Sequence, residues 1–212
     1  MKKYKKAATL LSVLLVMLST VVYLNAKEKD LNVEYTDFKY VTRDYNPKAV
    51  HIAYNKTDSK EEASVIDNKT GDALETMTVT KLKETGNTYP YMFTRSKVLG
   101  GTTVDFNVLV EIYEKGSFRQ INSYKDSYLQ VNKSVTRTYI EDSNANVWSP
   151  KGFPTVELFY AYNCTLNAEV YTGDDASVVS DLLDGGFNEM YTEGNIIYFS
   201  QILNSVGTIK LY

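Results

Sequence analysis

Cysteine, histidine and tryptophan each occur once in the 212 residues, and proline occurs four times. With Cys164 alone, no intramolecular disulfide can form. With His51 as the only histidine, a metal centre built from several His and Cys ligands is excluded as well. Clustered Lys and Arg are missing from the chain after residue 30, and a phosphate-binding surface needs such clusters. Nucleic acid is therefore not an expected partner. Repeats and low-complexity linkers are also missing, which excludes a solenoid.

Only one long hydrophobic run exists, from Ala7 to Leu24, behind a basic head of Lys2, Lys3, Lys5 and Lys6 and ahead of Asn25 and Ala26. This order matches a secretory signal peptide over residues 1–26, with cleavage after Ala26. An uncleaved anchor is the competing reading, because the run is at the lower edge of what spans a bilayer. In both cases the lysines hold the N-terminus inside and the remaining chain is exported, to the cell surface or the medium. Cleavage removes four lysines and no acid, taking the formal charge from −3 to −7. An exported chain with one cysteine leans towards a bacterial origin. The four Asn-x-Ser/Thr sequons, at Asn55, Asn68, Asn132 and Asn163, then read as chance matches.

What the chain does have is alternation. From Val156 to Val170 every even position is apolar or aromatic, and Glu157, Asn163, Thr165, Asn167 and Glu169 stand between them. That period belongs to a half-buried strand, here one continuous strand over Thr155–Tyr171 with Cys164 on its buried side. Val104 to Ile112 repeats the pattern before a tight turn at residues 114–117. A short strand over 50–54, a loop over Asn55–Glu62, a hairpin over 64–75 and a strand face of Tyr89, Tyr91 and Phe93 precede it, with Pro90 pointing to an edge. Turns are expected at Thr85–Asn87 and at Asn204–Ser205, and a polar loop at Glu141–Asn146. Asp174 and Asp175, an apolar stripe through Val178, Val179, Leu182 and Leu183, and Gly185-Gly186 together predict one short helix over residues 175–184.

These elements describe a mainly β fold, an antiparallel β-sandwich or open barrel with that one helix. The mature chain divides into a small meander over 27–97 and a larger β domain over 98–212, or forms one domain over 27–212.

No catalytic residue is assigned. A His51–Cys164 pair needs an exposed thiolate beside a base, and the parity of Cys164 instead predicts an inert buried thiol. Glu157 and Glu169 share a strand face but stand roughly 40 Å apart along it, too far for the paired carboxylates of a glycosidase. Asp142-Ser143-Asn144-Ala145-Asn146 opens like a calcium loop. Val147 and Phe153 then occupy the positions that need Gly and a bidentate Glu, so Glu141 and Asp142 are only weak metal candidates. No cofactor is implied.

The excess is in tyrosine, 18 residues, and exposed aromatics on a sheet suit sugar or protein surfaces. Tyr89, Tyr91, Trp148 and Phe159 are the candidate ligand-binding residues. The function expected is an exported, non-catalytic binding protein that contacts a protein or polysaccharide in the cell envelope or outside the cell. A membrane-active or pore-forming β protein is the alternative, since alternating strands also line transmembrane barrels; in the first reading only the N-terminal segment meets the membrane. A secreted hydrolase using carboxylates is the third.

Overall fold

The computed structural model describes residues 31–34, 38–42, 44–82 and 88–211. The expected signal peptide over residues 1–26 and the expected turn at Thr85–Asn87 lie outside the described residues. Two antiparallel sheets form, and neither closes into a barrel. The meander sheet is made of β3 (Val50–Lys56), β4 (Lys60–Asp67), β5 (Ala73–Lys81), β6 (Thr88–Leu99), β7 (Thr102–Lys115) and β8 (Phe118–Lys133), in chain order. The long-strand sheet has β1 (Leu31–Glu34), β2 (Phe38–Thr42), β12 (Ile196–Leu211), β10 (Glu157–Tyr171) and β9 (Arg137–Trp148) side by side. β11 (Asn188–Glu193) pairs with the start of β12, and β2 with its end. The helix α1 spans Ala176–Asp184, capped at its N-terminus by Asp175, whose side chain accepts from the Ser177 N–H.

β10 runs unbroken, and Leu158 through Val170 bury every even side chain. Val156, the first residue of the apolar series, instead precedes the strand and is exposed. Burying one face of β10 requires a second sheet, and the meander supplies it. Phe106 of β7 meets Tyr160 and Tyr162 with ring centroids 5.3 and 4.6 Å away, and Phe38 of β2 meets Phe93 of β6 at 5.3 Å. Ala63, Val65, Met77, Val79, Val108 and Val110 complete this interior from the meander side.

One buried polar group fastens the two sheets. The Arg95 guanidinium of β6 is almost fully buried and gives all five of its N–H groups to partners. Nε and Nη2 grip the two oxygens of Glu75 on β5. Nη2 also donates to Asp44 at 2.9 Å, and Nη1 donates to Tyr160 and Ser205 of the opposite sheet. Burial opposes the charge on Arg95, but Glu75 together with Tyr160 and Tyr162 more than offsets it, and its pKa is raised. Gly207, opposite Tyr160 in the register, is required here: a Cβ would lie 2.2 Å from the Tyr160 hydroxyl.

Several sequence expectations are corrected. The loop expected over Asn55–Glu62 is only residues 57–59, because β3 and β4 continue into it. Pro90 is on an interior strand. Its carbonyl accepts from Leu82, so its missing N–H also faces β5, opposite Leu82 one residue past the end of that strand, and only the return bond to Leu82 is forgone. The expected loop at Glu141–Asn146 is part of β9, an edge strand whose inner face (Ile140, Ala145, Val147) is only half-buried and whose alternation is broken by a bulge opposite Asn163–Thr165 with Asp142 at φ 48°. The expected turn at Asn204–Ser205 is mid-strand in β12, and Ser205 is polar because it binds Arg95 and Asp44. Residue 98 lies within β6, which pairs with β7 along its whole length, and β1 and β2 lie in the sheet of the C-terminal strands.

Candidate functional site

The outward face of the long-strand sheet carries the residues that the interior does not claim. Since β9, β10 and β12 pair in register, the odd residues of β10 and the even residues of β12 form ranks across this face. Glu157 stands beside Lys210, an ion pair at 2.6 Å. Next come Trp148, Phe159 and Thr208, with Val41 of β2 alongside. Asn146, Ala161 and Val206 form the following rank, and Asn144, Asn163 and Asn204 the one after, all three asparagines exposed.

Trp148 and Phe159 stack, with ring centroids 6.0 Å apart and planes 24° from parallel. Trp148 is 44% exposed. They form one wall of an open groove of about 570 Å³, with Val206, Thr208, Glu157 and Lys210 around it. A second groove of about 390 Å³ continues along the asparagines towards Asp44. A flat apolar ring face beside amide donors and acceptors binds groups that are apolar on one side and hydroxylated at the edge.

Two of the four candidate aromatics therefore come together and two do not. Tyr91 points inward, packs 5.6 Å from Phe38 and donates its hydroxyl to Glu114 at 2.8 Å. It stands in the wall of a small cavity, apart from the Trp148–Phe159 pair. Tyr89 is half-buried, with the Lys81 ammonium 3.4 Å above its ring. The small cavity of about 180 Å³ near these residues is lined by Lys81, Glu114 and Arg119, which pair with one another. Burial raises the Glu114 pKa, but hydrogen bonds from Lys81 and Tyr91 outweigh it, and the group is held below the usual carboxylate range. Glu111 is held low by Ser123 and Lys125. Both are ionised at neutral pH, the opposite of a general acid.

His51 is exposed on the edge strand β3, with its Nδ1 2.8 Å from the Asn68 side-chain oxygen. Cys164 is buried in the other sheet, its thiol pushed up to about 11 by that burial. They form no catalytic pair. Glu141 accepts from Asn167 across the strands and Asp142 is the bulge residue. Among the described residues no three His, Cys, Asp or Glu side chains converge as metal ligands would.

Set against known proteins, the chain matches no family model, no curated protein and no solved structure.

Sequence reasoning missed Asn204, Val206 and Thr208, and read Asn144 and Asn146 as loop. Each is an unremarkable polar or apolar residue alone. The signal was in the register of three strands, which fixes Asn144, Asn163 and Asn204 as one row only after the bulge at Asp142 is known.

Proposed function

We propose that this is an exported binding protein without catalytic activity, and that it holds a protein or polysaccharide of the cell envelope against the outward face of its long-strand sheet. The observation carrying this is the stacked Trp148–Phe159 pair above an open groove, on a face that no other element among the described residues covers. Large rings left on a surface forgo burial worth about 1.5–3 kcal/mol each, and a partner recovers it. Charge fits the same reading, since an acidic, exported chain stays soluble while a neutral patch makes the contact.

The test is retention of the mature protein on purified bacterial cell walls, native against Trp148→Ala/Phe159→Ala. Retention of the native protein and its loss in the double variant are expected. Equal retention, or none by either, overturns the assignment of this face. Dye release from liposomes provides the contrast with a pore: leakage would move the function to membrane permeation.

A further inference from the structure

The outward face does not end at the asparagine row. Continuing along β10 and β12, the next ranks hold Thr165 with Ile202, which is 74% exposed, then Asn167 with Tyr139, then Glu169 with Tyr198 and Tyr191. Tyr191 and Tyr198 stack with ring centroids 4.6 Å apart and planes 20° from parallel. A second aromatic platform thus closes the far end of the face. Ten residues separate Phe159 from Glu169 on the same strand, a distance of roughly 33 Å.

We infer that the two platforms are the ends of one extended site, and that its ligand is a linear, uncharged polysaccharide lying along β10 and β12. This rests on the proposed surface-contact function and narrows its partner. Three features select the chemistry. First, both ends offer stacked ring faces, which suit the apolar face of a pyranose and are indifferent to its charge. Second, the ground between is amide and hydroxyl: Asn144, Asn163, Asn204, Asn167 and Thr165, groups that hydrogen-bond to sugar hydroxyls as donors and acceptors. Third, the cations Lys210 and Arg137 along the strip already have carboxylate partners on the protein. Glu157 holds Lys210 at 2.6 Å, Glu169 holds Arg137 at 2.9 Å, and Glu141 accepts from Asn167. A polyanion would have to break the Lys210 and Arg137 pairs to find a cation. An uncharged chain meets no such cost.

Geometry adds a length requirement. A short oligosaccharide reaches one platform, whereas a chain spanning both makes the second contact intramolecularly and gains avidity.

The test is affinity electrophoresis of the mature protein in native gels containing soluble neutral polysaccharides (barley β-glucan, glucomannan, glycol chitin, mannan) or polyanions (alginate, hyaluronan), followed by calorimetry with oligosaccharides of increasing length. One or more neutral polymers should retard the protein, and high salt should leave this unchanged. Trp148→Ala and Tyr198→Ala should each weaken binding about tenfold or more, the effect of losing one aromatic anchor. Trp148→Phe keeps a ring in place and should retain binding, and Tyr54→Ala, on the far edge of the meander sheet, should match the native protein. Circular dichroism of each variant confirms its fold. If no neutral polymer retards the protein, if polyanions do so in a salt-sensitive way, or if short and long oligosaccharides bind alike, the inference is overturned. If protease treatment of cell walls abolishes Trp148-dependent retention, the partner is a protein: the surface-contact reading then stands and the polysaccharide falls.

Discussion

At the scale of single residues, Arg95 is where most is at stake. Removing one partner of a buried ion pair leaves the other charged and desolvated, which costs about 3–5 kcal/mol. Arg95→Met strands Glu75, which is fully buried, and releases Tyr160 and Ser205 of the other sheet. We expect it to lower stability by about that amount, read from the urea midpoint. A second expectation comes from the tyrosines around this cluster. Burial raises the pKa of Tyr45 and Tyr160, and pushes Tyr162 up to about 12 from an ordinary 10.0. Below pH 10 these hydroxyls are protonated whether the chain is folded or not. Above it the unfolded chain loses protons first, so it binds fewer than the native state and stability falls as pH rises, by about 1.4 kcal/mol per unit for each tyrosine. Unfolding free energy followed from neutral to alkaline pH should therefore be flat and then drop steeply beyond about pH 10. Tyr162→Phe should make that drop shallower; an unchanged slope would mean Tyr162 does not titrate late.

At the scale of elements, α1 illustrates how closely backbone can approach when side chains are absent. A Cβ on Gly185 would lie 2.3 Å from the Gly100 nitrogen, and one on Gly100 would lie 1.8 Å from the Asp181 carbonyl oxygen. The helix end therefore sits directly on the β6–β7 turn, with Leu182 buried beneath it. Gly185 has ordinary helical φ, so alanine there is penalised by contact alone. We expect Gly185→Ala to cost about 1–3 kcal/mol, measured by thermal or urea unfolding, where an exposed helix end would gain stability from the same change. Elements with one buried face were legible in the sequence for the reason that burial writes a period into it. β7, β10 and α1 were read nearly to their ends, and the β4–β5 hairpin was announced by its Gly-containing loop. Within β9 the run Glu141–Asn144 has no buried or half-buried side chain, so Glu141–Asn146 reads as loop. β12 reads as two strands because Asn204 and Ser205 look like a turn, when one faces solvent and the other serves Arg95. The candidate site divides in the same way: Trp148 and Phe159 announce themselves as aromatics, but their pairing across β9 and β10 and the asparagine row beside them depend on register, which no single strand encodes.

At the scale of the whole molecule, the question is whether the chain divides near residue 98 or forms one domain over 27–212. A cut there separates β6 from β7, which pair at every position from Thr88↔Tyr113 to Leu99↔Thr102. It also places Phe38, Glu75, Phe93 and Arg95 on one fragment and Tyr160, Ser205 and the inner face of β10 on the other. Residues 98–212 would then expose Leu158, Tyr160, Tyr162 and Leu166 to water and lose the pairing of β2 with Gly207–Leu211. Residues 27–97 would form a sheet whose apolar face has nothing to cover it, and a lone sheet of that kind is not stable by itself. Expressed separately, both fragments should lack a cooperative urea transition, while the full mature chain unfolds in one step followed equally by tryptophan fluorescence and circular dichroism. A monomeric 98–212 fragment with its own sigmoidal transition would show that the strands after residue 98 carry a sufficient core. The Arg95 cluster would then be a clamp between two units and not the centre of one, and Arg95→Met would loosen the docking of the sheets without unfolding either.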